Sequence, residues 1–490
     1  MKKLIILIGV LSFTFSCSED TLTDMNTDTK SPLVVPADAL LGNAEKNLFD
    51  QMTSTNVNTN VFRLFAQHWT ETTYLDESRY DILQRNIPDR HWRVIYRDIL
   101  TDLKKAKEIA NEIATVTPKE EKIKQNKIAI IEVLEVYATS ILVDTFGDIP
   151  YTEALDPEKF PSPKYDKAID IYKDLFAKLD KAYAKFDSSF ASFGASDFIY
   201  SGNIAKWKIF ANSLKLRMSI TVADEPSLNP AAKAKAAFEA GVMTSNGDNA
   251  TIQYKSTQPN TNPLYEDLVS SGRYDFIAAN TLVDKMNDLD DPRRAKYYIP
   301  IEGEFIGGPY AQGGDFESYS SPGDPANEDG DHTVLLDPEL EGLLLSYTEV
   351  SFYLAEAVER GFISGTAATY YNEAVTSSIL YWGGNQAEAD AYLANPNVTY
   401  SRTASWKEKI GEQSWIGYYN RGFEAWTSYR RLDFPKLLAP SNAASAAENK
   451  VPVRFTYPVL EQTLNNTNYK AAATAVGGDK LSAKLFWDKF

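Results

Sequence analysis

The chain is nearly free of the residues that build transition-metal and redox centres: one cysteine, Cys17, and three histidines, His68, His91 and His332, in 490 residues. The histidines lie far apart, and neither an HExxH nor a paired CxxC spacing occurs, which argues against a zinc or iron site. GxSxG, Walker A and GxGxxG patterns are also missing, so nucleophile elbows, nucleotide loops and dinucleotide folds have no sequence support. Positive charge is short as well, with 50 Lys and Arg against 67 Asp and Glu and a net charge of −17. A phosphate backbone needs a basic surface, so nucleic acid is an unsuitable partner. After the first residues no run is apolar and long enough to span a bilayer. Carboxylate pairs cannot be dismissed in this way, because a glycosidase dyad has no local signature. The inventory favours a binding protein, with no cofactor expected.

What is present begins at the N-terminus. Lys2 and Lys3 precede an apolar run over residues 4–15, and Ser16 is a small residue suited to cleavage. Cys17 follows directly. This arrangement predicts a lipoprotein signal over residues 1–16, with Cys17 lipidated as the mature N-terminus; an ordinary secretory signal is the alternative. Acyl chains add about 0.8 kcal/mol per buried CH₂, and several on one residue make a lasting anchor. Residues 17–36 are rich in Thr, Asp, Asn, Ser and Pro and read as a flexible tether.

The remainder, 37–490, reads as one mostly α domain. Apolar residues recur at three and four over 37–52, 89–113, 122–143, 165–182 and 204–222. Over 347–380, Leu354, Ala355 and Val358 precede Ala367, Tyr371 and Ala374, the pattern of a tetratricopeptide helix pair. Trp207, Phe210, Ala211 and Leu214 match its first half. Between about 245 and 333 helical patterning fades, and Gly, Pro, Asn, Asp and Tyr cluster in a loop-rich insertion. Long irregular loops on a regular scaffold often carry function.

Aromatics make up 12% of the chain, with 28 Tyr and 8 Trp, more than a core of this size needs. A neutral sugar offers hydroxyls and apolar ring faces, so its site needs flat aromatic platforms flanked by amides, carboxylates and arginines. Two segments supply these. The early one holds Gln67, Trp69, Tyr74, Arg79 and Tyr80; here Trp69 and Tyr74 are read as platforms, and a core role for Trp69 is the alternative. The mid-chain one holds Tyr298, Tyr310, Phe316, Tyr319 and His332 amid Gly and Asp. Asp324, Glu328, Asp329 and Asp331 offer oxygens for calcium, but their spacing departs from an EF-hand, and the reading kept is a solvated acidic turn. Arg430 and Arg431 are read as buried partners of nearby carboxylates, and Trp382 with Gly383 and Gly384 as either a helix cap or a platform.

Five segments together resemble one family. Residues 143–151 (VDTFGDIPY) with Glu153, Ala154 and Leu155 resemble the helix-to-loop signature of SusD/RagB outer-membrane lipoproteins. Residues 207–218 (WKIFANSLKLRM), 351–361 (SFYLAEAVERG), 426–432 (WTSYRRL) followed by Phe434 and Pro435, and 451–458 (VPVRFTYP) with Glu461 and Asn468 are similar to further family segments, in family order. The spacing of the last two is nearer the SusD-like branch. The acidic Glu19 and Asp20 behind Cys17 resemble the surface-export signal of Bacteroidetes lipoproteins.

The resemblance implies an α-helical fold with about four tetratricopeptide-like pairs and long ligand-binding loops. It implies an outer-membrane lipoprotein at the cell surface, partner to a SusC-like TonB-dependent transporter, which captures an oligosaccharide and closes over the barrel as a lid. The site residues do not align one by one, so the resemblance assigns none. Three other readings remain open: a peptide-binding member, a surface-anchored glycoside hydrolase, and a tetratricopeptide scaffold that binds only proteins.

Overall fold

Helices that expose one polar face and hide one apolar stripe must pair, and the computed structural model shows them doing so. It describes residues 35–323, 334–401 and 405–489. The helix Ala37–Thr53 packs on Thr101–Glu112 and the wider-turned Val94–Leu100 before it. Pro118–Phe146 packs on Ala168–Lys185, Ile204–Thr221 on Pro230–Ala240, and Tyr347–Glu359 on Ala367–Tyr381. These are the four expected pairs. Trp406–Gly417 and Gly422–Leu432 form another hairpin, packed beside the fourth.

Local chemistry sets the ends. Thr117 and Glu120 form a capping box ahead of Pro118, and Gly147, at φ 91°, ends the same helix. Asn203 and Ser346 accept from the third backbone N–H of their helices. In Ala168–Lys185 the stripe Ile171, Leu175, Leu179 and Ala182 is buried, as its four-residue spacing requires. That helix starts three residues later than the sequence pattern predicts. Tyr165 and Asp166 pair instead with Ile149 and Pro150, and the Asp148 carboxylate accepts from Ala168 N–H. The predicted single helix over 89–113 is likewise three consecutive pieces, its middle turn wound wider.

Between the pairs and the last hairpin lies an aromatic core. Phe62 stacks on Trp426 (5.2 Å) and on Phe455 (5.1 Å). Beside it Glu349 meets Arg421 at 2.6 Å, and Glu424 meets Arg421 at 3.0 Å and Arg217 at 3.6 Å, all buried. Arg431 pairs with Glu356 at 2.7 Å, as expected. Arg430 corrects the expectation for its position. It stacks 3.4 Å over the Trp426 ring and donates to the carbonyls of Asp144 and Val453 rather than to a carboxylate. Trp382 is buried at a helix end and packs edge-on against Tyr297, so the cap reading is correct and the platform reading is not.

Over its described residues, 245–323, the insertion is better organised than its composition suggests. Asn280–Asp288 is a helix that buries Leu282, Val283 and Met286, a stripe too short to stand out in the sequence. The strand Ala250–Ile252 pairs with Gly342–Leu345. A further pairing joins distant segments: Trp69–Glu71 runs antiparallel to Phe276–Ala278, with Trp69 opposite Ala278 and Glu71 opposite Phe276. Among the described residues no helix is long and apolar enough to cross a membrane.

Candidate functional site

The two-stranded ladder brings the early loop against the mid-chain loop, as the site reading requires, but it sorts their residues differently. Trp69 is 1% exposed; its indole N–H donates to the Tyr419 hydroxyl (2.9 Å) and its ring lies against Phe276. This corrects its reading as a platform: it is a core residue. Gln67 is also buried. Its amide nitrogen donates to the Tyr80 hydroxyl (3.0 Å) and the Leu438 carbonyl (2.7 Å), and its oxygen accepts from Thr281 (3.1 Å). Tyr80 and Tyr298 are buried too, Tyr298 donating to the His68 carbonyl. None of these four has a free face for a ligand.

Tyr310 and Arg79 are half-buried struts between loops. The Tyr310 hydroxyl donates to the Leu64 carbonyl (2.7 Å), and Arg79 Nε faces the Ala311 carbonyl at 3.4 Å. Tyr319 backs onto Gly308 and Gly314, where an added Cβ would come within 3.4 and 2.9 Å of its ring. Those glycines let the loop close over the tyrosine. His332 and the calcium candidates Asp324, Glu328, Asp329 and Asp331, like Cys17, lie outside the described residues.

Of the predicted set, Tyr74 is exposed, and Phe316 is half-buried at the lining of a surface depression. Tyr74 is 64% exposed with φ 49°, a left-handed turn that swings its ring outward. Two neighbours that the sequence reading missed complete the surface. Tyr274 is 66% exposed and its ring leans on Phe316 at 5.0 Å. Arg273 sits 5.7 Å over the Tyr74 ring and is held by Asp275 at 2.5 Å. The signal for both was available: they follow Ser270, Ser271 and Gly272 in the same Gly-rich texture that singled out Tyr310.

The 273–276 segment forms a ridge between two depressions. One is a polar groove of about 510 Å³ lined by Asn56, Asn58, Tyr74, Arg85, Arg273 and Asp275 among others. The other, about 310 Å³, is more apolar and includes Val269, Tyr274, Ile299, Phe316 and Leu336. Burial and the neighbouring Glu77 push the Glu71 carboxyl at the groove floor up to about 8. Paired amides, two guanidiniums and carboxylates offer hydrogen bonds in both directions, and the two exposed tyrosines offer flat apolar faces beside them. Among the described residues no three His, Cys, Asp or Glu groups stand together as a metal site.

Stacked helix pairs whose loops hold an aromatic-rimmed polar groove define a ligand-binding protein. The chain belongs to the SusD-like family described as starch-binding and associating with the outer membrane, whose model matches residues 29–458. Members of this family bind rather than transform their ligands, and this chain is a binding protein, not an enzyme. Its structure is similar to that of a chitin-binding protein at 26% identity and a TM-score of 0.78, covering 93% of this chain and 100% of that one. A SusD homologue from Bacteroides uniformis is similar at 27% identity and a TM-score of 0.74, covering 92% and 99%. A chitin-binding SusD homologue from Flavobacterium johnsoniae shares the fold at 22% identity and a TM-score of 0.75, covering 92% and 98%. No curated protein matches the chain.

Proposed function

We propose that this protein captures glycan chains at the face formed by Tyr74, Tyr274, Phe316 and the polar groove beside them. The observation that carries the reading is the pair of exposed tyrosines, 64% and 66% open to solvent, Tyr74 lining a groove of amides, arginines and carboxylates and Tyr274 the apolar depression beside it. Sugars present both kinds of surface at once, and peptides need no such pair of open rings. The family description and the chitin-binding relative at 26% identity support a glycan over a peptide.

Capture serves import in this reading. The protein is anchored to the outer membrane through lipid on Cys17, faces outward, and passes its glycan to a SusC-like TonB-dependent barrel over which it closes. Residues 17–36, rich in Thr, Asp, Asn, Ser and Pro, have the composition expected of the linker that such a lid needs. Native affinity electrophoresis against a polysaccharide panel that includes starch and soluble chitin derivatives tests the capture step. Retardation by at least one glycan, with no product released, is the expected result. Migration unaffected by every glycan, with peptides bound in calorimetry, would transfer the function to peptide capture.

A further inference from the structure

The polar groove is lined by one buried carboxyl, Glu71, whose loop carries a second, Glu77, and sugar binding does not itself use this pair. Glu71 ends the strand Trp69–Glu71, and its Oε2 accepts from the backbone N–H (2.9 Å) and the hydroxyl (2.7 Å) of Ser78. Those two bonds close the loop that carries Tyr74. Glu77, next to Ser78, is fully buried, and its Oε1 lies 2.8 Å from the Arg85 guanidinium. Because Ser78 is bonded to Glu71 and adjoins Glu77 in the chain, the two buried carboxyl groups are neighbours, and Glu77 helps to hold the Glu71 carboxyl up. Apart from that ion pair, no donor among the described residues satisfies either oxygen of Glu77. Two buried carboxylates, of which Glu77 alone is paired with the Arg85 guanidinium, carry one charge too many, and one oxygen lacks a donor. A single proton between them corrects both.

We propose that Glu71 and Glu77 share one proton, and that this proton holds the 72–80 loop in the form that presents Tyr74 to the groove. The loop needs such a clasp, because Tyr74 and Tyr80 sit at φ 49° and 66°, a conformation that side chains other than glycine resist. The surrounding charges favour keeping the proton. Asp76 on the same loop lies 3.7 Å from Arg85 and competes for it. Across the groove stand Asp267 and Asp275, and Arg273 is already paired with Asp275. From the Gly-rich loop, Tyr310 adds a neutral hydroxyl near Glu71.

The direction with pH follows from proton counting. Burial and mutual repulsion hold Glu71 up to about 8 in the closed loop, whereas an opened loop releases it to the ordinary carboxylate range. Between these limits the open form binds fewer protons, so raising the pH favours opening and removes Tyr74 from the groove. This consequence for affinity rests on the glycan-capture reading; the clasp itself does not.

The test uses the full chain. Hydrogen exchange of the Ser78 amide, corrected for its intrinsic rate, reads the clasp, and calorimetry with N-acetylchitohexaose reads the groove. From about pH 6 to about pH 9 the protection of Ser78 is expected to fall at least tenfold, and affinity at least threefold. Glu71→Gln, a neutral side chain that can donate to Glu77, is expected to flatten both profiles; Glu77→Gln is read in the same way should the first variant fail to fold. A flat protection profile in the parent, or the same slope in parent and variant, overturns the proposal. If the sugar does not bind at any pH, capture of this glycan fails and the exchange profile alone decides the clasp.

Discussion

Replacing Trp69 and Tyr274 with alanine, one at a time, should separate the ring that holds the fold from a ring that holds ligand. Trp69→Ala deletes an indole that is 1% exposed, its 2.9 Å bond to Tyr419, and the guanidinium of Arg63 lying 5.3 Å over it. Truncating a buried aromatic of this size costs about 3–5 kcal/mol. Unfolding entropy near 2.1 cal/mol/K per residue amounts to about 1 kcal/mol/K for a unit this large, so the melting temperature should fall by about 3–5 °C. Tyr274→Ala removes a ring that is 66% exposed and, among the described residues, touches Phe316 alone of the aromatic side chains. Surface changes of this kind stay within about 0.5 kcal/mol in stability. The lost stacking of about 1–2 kcal/mol should nevertheless weaken glycan binding by about five- to thirtyfold. Scanning calorimetry and affinity electrophoresis on the same preparations give both numbers. If Trp69→Ala melts with the parent but loses retardation, while Tyr274→Ala keeps it, the assignment of the two rings is wrong.

Three other changes probe the scaffold and the anchor. Glu356 lies buried between Arg431 (2.7 Å) and Arg360 (2.8 Å), so Glu356→Ala leaves two guanidiniums without their shared counter-charge. A loss of about 3–5 kcal/mol is expected in urea unfolding, and a loss under about 1 kcal/mol would show that the triad contributes little. At Gly422 an added Cβ would stand 2.4 Å from the Arg63 nitrogen and 2.6 Å from the Phe62 carbonyl carbon, whereas at Gly361 nothing lies within 4 Å. Gly422→Ala should therefore destabilise well beyond Gly361→Ala, whose cost is only its left-handed backbone, about 1–2 kcal/mol. Cys17→Ser should move the protein from the membrane pellet to the soluble fraction; unchanged sedimentation with membranes would remove the lipid anchor from the account.

The helix pairs were legible because their signal is local. A stripe such as Ile171, Leu175 and Leu179 repeats within one helix and needs no knowledge of what it meets. The paired arginines were legible as buried but not as to their anchors. Arg431 finds Glu356 on another helix, while Arg430, one residue earlier, points to a different side and lies on Trp426 with Trp487 beyond. Adjacent residues on a helix diverge by about 100°, so one motif serves two separate contacts. The insertion was least legible, because its order comes from partners far along the chain, such as Phe276–Ala278 on Trp69–Glu71.

The same limit explains the site. Trp69, Tyr74 and Tyr80 fall within twelve positions and share one composition, yet the first and third are core and the second is open. What separates them is a long-range chain of hydrogen bonds: Trp69 donates to Tyr419, and Tyr419 donates to the Tyr297 carbonyl at 2.8 Å. Tyr80 is likewise fixed by Gln67, which in turn reaches Leu438. The buried rings on either side thus hold Tyr74 at both ends of its loop, and Glu71 with Ser78 closes the span between them. A platform mounted in this way gives up little freedom on meeting a sugar, so more of its stacking energy reaches the affinity. Within the proposed capture face, Gln67, Trp69 and Tyr80 are then the mount, and Tyr74 and Tyr274 at solvent are the proposed contact.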